Sequence, residues 1–304
     1  MKLRRFARQG GARRLARSRS EERIVTVVAP PPFRAPLALA DSSLLEAGDT
    51  EGASRTLRTL GTRRDRLHVV LPWDTFNLFL LERPEVPPAE IRSALRWKIR
   101  DLIDYHPDDA TLDAFEVPVE TRPGSPRMIY VAAAPTARLR SVIEEVAASP
   151  APLSVLDIPE LCLRNLVATH PAEANGVVSL YCEAHQGCIL ISRGRTLYLT
   201  RRLDFGHASQ DAHPGSFAEK IALEIQRSLD YVDRHYRLPL PKTVLLLPLP
   251  GPDPGLPEAV GTRLGLACTT FSLASVLGDP GPSPEDENRL CLAVGALLRE
   301  EDGP

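Results

Sequence analysis

The chain has 304 residues, enough for two domains of ordinary size, with 43% hydrophobic and 25% charged residues, which is normal for a globular protein. Its formal net charge of -2 argues against a nucleic-acid partner. No apolar run approaches the roughly 20 residues that span a bilayer, the basic first residues lack a signal-peptide core, and five irregularly spaced cysteines do not form a disulfide framework, so a cytoplasmic protein is expected.

Residues 1–22 are read as a disordered basic arm carrying Arg4, Arg5, Arg8, Arg13, Arg14 and Arg17, able to rest on anionic lipid. A first strand is predicted at 23–28 and a second at 37–40. A short helix follows, stopped by Gly61. Strands are predicted at 66–72 and 76–82. Phe76, Leu78 and Leu80 share one face of the latter, which faces either the core or a partner groove. Ile91, Leu95, Ile99, Leu102 and Ile103 recur at helical spacing over 87–104. Two strands, a helix over 136–149 and a strand close a first half at about residue 155, and a helix within 152–170 follows that strand.

The pattern then restarts. Residues 176–206 read as three strands joined by turns at Gln186-Gly187 and Arg193-Gly194. A long helix over 216–236 aligns Phe217, Ile221, Ile225, Leu229, Val232 and Tyr236, with Ser216 as its predicted cap and an Asp230–Arg234 ion pair on its polar side. Strand, helix, strand and helix complete a second half over 156–304. Two α/β halves of one pattern, without a repeat in the residues themselves, are the expectation.

Candidate chemistry is sparse. The chain has no Gly-Lys pair, which excludes a P-loop, and it lacks GxSxG, HExxH and GxGxxG. Cys182, His185 and Cys188 have zinc-ligand chemistry, but no fourth group lies nearby in sequence, and alternation along a hairpin would separate them. The acidic run around Asp104, Asp108 and Asp109 lacks the glycine and terminal glutamate of a calcium loop. No catalytic residue, metal site or cofactor site is assigned.

Four stretches resemble a known family: residues 71–118, LDIPELCLRNL at 156–166, ALEIQRSLDYVDRHY at 222–236, and LCLAVGALLRE near the end. Together they are similar to the PilM family of type IV pilus assembly proteins, in particular its MshI branch of MSHA pilus biogenesis proteins. The resemblance implies an α/β, actin-like fold of two RNase-H-like halves, with an FtsA-like extra subdomain at about 66–135 within a first half of 23–155. It also implies a cytoplasmic protein, peripheral on the inner membrane, that docks on the N-terminal peptide of a bitopic PilN-like protein and meets other pilus assembly proteins. PilM proteins bind ATP through two hairpins with Asp-x-Gly motifs. Here the strand at 23–28 is expected to lead into Ala29-Pro30-Pro31-Pro32, and the second-half equivalent into Glu183. Neither offers the family's phosphate contacts, so a degenerate, non-hydrolysing adaptor is expected.

Overall fold

The computed structural model describes residues 11–117, 126–209, 214–236, 238–250, 255–278 and 282–300. Its frame is one motif used twice. In the first half the strands are β1 (Arg14–Arg19), β2 (Arg23–Ala29), β3 (Asp41–Glu46), β4 (Arg66–Val70) and β8 (Leu153–Asp157), in the sheet order β3-β2-β1-β4-β8. In the second half β9 (Val177–Cys182), β10 (Gly187–Arg193), β11 (Thr196–Leu203), β12 (Thr243–Leu246) and β13 (Ala267–Thr270) take the equivalent order β11-β10-β9-β12-β13. Each sheet has three meandering antiparallel strands, then two parallel strands on the other side of the first.

The first strand lies where the sequence predicted a disordered arm, and this is a correction. Leu15 and Ala16 are fully buried, on opposite faces of the sheet. Arg14 and Arg17 of this strand are buried too, and they and the half-buried Arg13 before it each find an acceptor. Arg14 donates to the carbonyls of Leu297 (3.0 Å) and Arg299 (2.6 Å). Arg17 pairs with Glu145 at 3.7 Å. Arg13 donates to Asp65 at 2.6 Å. These three are parts of the fold, whereas Arg4, Arg5 and Arg8 lie outside the described residues. The first half therefore begins near residue 14, not 23.

Helices cover both faces of each sheet. Against one face of the first sheet lie α1 (Thr50–Leu60) and α3 (Thr136–Val146), burying Leu57 and Val146 with Leu15, Leu67 and Val69. Between the two sheets run α4 (Pro159–Val167) and α8 (Pro284–Leu297), in contact with each other. Each crosses over: α4, which ends the first half, packs on β10 and β11, and α8, which ends the chain's helices, packs on β1, β2 and β4. Their approach requires Gly295, because a Cβ there would stand 2.1 Å from the Cys162 carbonyl oxygen. Asn165 adds a hydrogen bond to the Gly295 carbonyl at 3.3 Å.

The outer face of the second sheet is covered by α5 (Pro214–His235) and α6 (Leu256–Leu264). Phe217, Ile221, Ile225, Leu229 and Val232 of α5 are buried, and so is Tyr236 just beyond it. The helix starts at Pro214, so Ser216 lies inside its first turn and not at the cap. A short helix, α7 (Ala274–Leu277), precedes α8.

The extra subdomain is inserted between β4 and α3. It comprises β5 (Asn77–Glu82), α2 (Ile91–Lys98), β6 (Ala110–Glu116) and β7 (Met128–Pro135), in a small antiparallel sheet of order β5-β7-β6. Residues 66–70, predicted to open it, belong to the main sheet. One face of the small sheet packs on α2 through Phe79, Leu81, Leu95, Ile99 and Val131. The other turns Leu78, Leu80, Phe115 and Tyr130 towards the body. The predicted helix over 87–104 is regular only at Ile91–Lys98, with a 3-10 turn at Pro88–Glu90 before it.

Candidate functional site: the cleft between the halves and the groove beside the subdomain

The duplicated hairpins meet across a cleft. The β1–β2 turn is Ser20-Glu21-Glu22, closed by the Ser20 amide on the Arg23 carbonyl at 2.9 Å. The β9–β10 turn is Glu183-Ala184-His185-Gln186, closed by the Glu183 amide on the Gln186 carbonyl at 2.8 Å. The first turn is not where the sequence placed it. Because β1 precedes residue 23, the Ala29–Pro32 stretch follows β2 and lies off the hairpin. The second turn is where it was expected.

Two cavities lie beside the turns: one of about 30 Å³, lined among others by Ser20, Glu21, Glu22, Glu183, His207 and Asn288, and one of about 620 Å³, lined among others by Arg19, Ser20, Glu21, Trp73, Arg138 and Gln186. Small-molecule sites enclose roughly 300–1,000 Å³, so the larger cavity has the volume of one and the chemistry of the turns has to decide. Glu183 is 4% exposed, and its carboxylate accepts from Trp73 Nε1 at 3.2 Å and Gln186 Nε2 at 2.9 Å. Burial pushes its pKa up; the two hydrogen bonds oppose the shift, and the Glu21 and Glu22 charges add to it. Arg23 is engaged by Glu46, and Arg289 by Asp286. Phosphate-binding turns present backbone N–H groups, usually with glycine, and a positive field. These turns contain no glycine and present carboxylates, so they do not offer the contacts by which such turns hold a phosphate. Residues 251–254 lie outside the described residues.

A second feature lies between the first half and the subdomain. A groove of about 260 Å³ is lined by Leu71, Phe76, Phe115, Leu156, Ile158 and Leu161, with Asp113, Asp157 and Arg299 also on its walls. It runs between β6, an edge of the small sheet, and β8, an edge of the first main sheet. Of the three residues singled out on one face, Phe76 lines the groove. Leu78 and Leu80 are half-buried and pack on the central core, and Leu78 also touches the cluster beneath Phe76. The groove is thus assembled from residues distant in sequence, of which only Phe76 was singled out.

The wall that carries Phe76 is held from the other half. Arg202, on β11, donates to Glu160 Oε1 at 3.0 Å and to the carbonyls of Trp73 at 3.0 Å and Phe76 at 3.3 Å. Its guanidinium lies 5.1 Å from the Trp73 ring centre and 4.5 Å from that of Phe76. Glu160 is fully buried at the start of α4, and burial raises its pKa against the opposing pull of Arg202. Segment 73–76 therefore touches the cleft through Trp73 and Glu183, and the groove through Phe76. Sequence patterns could not pair Arg202 with Glu160, since they lie 42 positions apart.

The remaining sequence candidates are structural. In α5, Ser228 is buried, donating to the Glu224 carbonyl (2.7 Å) and accepting from Arg201 (3.1 Å). Asp230 accepts from Gln226 at 2.8 Å, not from Arg234 as predicted. Cys182 and Cys188 are buried strand residues. Among the described residues no group of three His, Cys, Asp or Glu side chains is placed to hold a metal, and no helix is long and apolar enough to cross a membrane.

No family model and no curated relative matches the sequence. Solved structures do. A PilM-PilN type IV pilus biogenesis complex superposes with a TM-score of 0.71 at 18% identity, covering 93% of this chain and 97% of that one. The fold is actin-like. The cytoplasmic domain of EpsL, an inner-membrane component of the Vibrio cholerae type II secretion system, gives 0.51 at 14% identity, with 83% and 94% covered. The ethanolamine utilization protein EutJ of Carboxydothermus hydrogenoformans gives 0.50 at 12%, with 97% and 92% covered. The actin-like architecture is that of the doubled sheets and crossed helices described above, and the PilM similarity extends over the inserted subdomain.

Proposed function

We propose that this chain is a non-enzymatic adaptor of a type IV pilus assembly machine, cytoplasmic and peripheral on the inner membrane, which docks on the N-terminal cytoplasmic peptide of a bitopic PilN-like protein. The carrying observation is the near full-length similarity to the PilM-PilN structure, subdomain included. The groove supports it physically. An extended peptide laid between β6 and β8 gains main-chain hydrogen bonds from a free strand edge, and its alternate side chains meet Phe76, Phe115, Leu156 and Ile158. Arg202 and Glu160 keep the Phe76 wall in place before the peptide arrives, which lowers the ordering cost of binding.

The adaptor works without nucleotide in this proposal. The hydrogen bond from Trp73 to Glu183, which ties the wall to the cleft turn through a carboxylate, supports this reading. Within pilus systems the MshI branch, and hence an MSHA-type fimbrium, is favoured by the sequence stretches quoted above. A type II secretion platform is the second reading, favoured by the EpsL match but with less of this chain covered. Calorimetry with a synthetic N-terminal peptide of the PilN-like protein from the same organism tests the adaptor role: saturable binding is expected, and its absence contradicts the proposal. An ATP-binding PilM-type protein is tested by thermal shift. Ligand at 100 times its dissociation constant adds about 2.7 kcal/mol of stability, so a reproducible rise with Mg-ATP would restore a nucleotide site.

A further inference from the structure

The parallel pairing of β1 with β4 brings together two basic segments that lie far apart in sequence. Arg14 is the register partner of Arg66, and the Arg66 amide donates to the Arg13 carbonyl at 3.0 Å. The chain that leads into β1 therefore joins the sheet beside the loop that leads into β4. That loop and the last turn of α1 carry Arg58, Arg63, Arg64 and Arg66, all exposed. Among the described residues none of the four meets a carboxylate. The nearby acids are taken: Asp65 is buried under Arg13 and Thr62, and Glu51 faces Arg55. Neutralisation is the rule for much of this arginine-rich surface, as at Arg19, Arg23, Arg83 and Arg138.

We propose that Arg58, Arg63, Arg64 and Arg66 form a fixed basic surface that rests on anionic lipid headgroups. It is a different surface from the peptide groove, which lies by the far ends of the same strands, at Leu71 and Asp157. Residues 50–66 contain no aromatic side chain, so the surface lacks the stacking platform of single-strand nucleic-acid binders. A diffuse array of unpaired cations suits a planar anionic surface, where each contributes roughly a fivefold gain in partitioning. The choice of a membrane rests on the adaptor reading; the unpaired cations do not.

The test is flotation of the full chain with phosphatidylcholine vesicles, with and without phosphatidylglycerol, at low and high salt. Binding should require phosphatidylglycerol and weaken at high salt. A triple variant Arg63→Gln, Arg64→Gln, Arg66→Gln should lower partitioning about 100-fold, while Arg34→Gln, Arg127→Gln, Arg234→Gln should leave it near wild type. If the triple variant does not fold, the single variants Arg63→Gln and Arg64→Gln should each lower it about fivefold. Equal binding to neutral vesicles, equal loss in the control triple, no loss in the loop variants, or preference for duplex DNA over the vesicles overturns the proposal. Peptide calorimetry on the loop variants separates the two ideas. Lost vesicle binding with intact peptide binding is expected, whereas absent peptide binding in the wild type contradicts the adaptor role and leaves the lipid surface standing on its own flotation result.

Discussion

Leu229 and Asp230 are neighbours on one helix with opposite surroundings, 5% exposed in the core and exposed beside Gln226 respectively. Leu229→Ala should cost about 2–5 kcal/mol in chemical denaturation. Asp230→Asn should cost less than about 0.5 kcal/mol, as surface changes away from special features do; unchanged unfolding with lost partner binding would mark it as functional instead. Glu183 makes a sharper case. Its pKa is raised in the folded protein, so the fold binds its proton more tightly than the unfolded chain does. Its contribution is favourable at pH below the ordinary glutamate value near 4.3, and is lost as pH rises through the higher folded value. Glu183→Gln keeps an acceptor for Trp73, and Gln186 can turn its amide to suit the new side chain. The variant should therefore melt higher than wild type at pH 8, with the advantage shrinking towards pH 4. An advantage that grows on acidification would reverse the sign.

At the scale of elements, the long helix at 214–235 was legible because its apolar residues recur at three and four, and one face of it is buried. The strand Arg14–Arg19 was not. Closely spaced arginines look like a solvated tail, and only the tertiary fold supplies the Leu297 and Arg299 carbonyls and Glu145 that receive them. The phosphate turn was misplaced for the same reason, since losing the first strand shifts the hairpin by one strand. The Arg202–Glu160 clamp gives an element-level prediction. Removing one partner of a buried pair strands the other, at about 3–5 kcal/mol. Arg202→Met should fall towards the lower part of that range, because 34% of its side chain is exposed and water can reach the gap. Adding Glu160→Gln to Arg202→Met should recover much of the loss in a double-mutant cycle. Additive losses would mean that the two side chains do not act as a unit. Gly295→Ala should also unfold more readily than wild type, since the added methyl meets the Cys162 carbonyl at the crossing of α4 and α8.

At the scale of the molecule, duplication was visible as an order of elements, while the joining of the halves was not. The crossed helices, the Arg202 clamp and the hydrogen bond from the Thr200 amide to Tyr130 Oη, 3.0 Å long, tie the subdomain and the first half to the second. These ties hold the groove wall from the second half. The most direct measurement is calorimetric titration of the PilN-like N-terminal peptide into the full chain, with and without Mg-ATP. Saturable binding of equal affinity in both buffers is the expected result. Binding that appears only with Mg-ATP, or no binding in either buffer, would contradict nucleotide-independent docking through this groove.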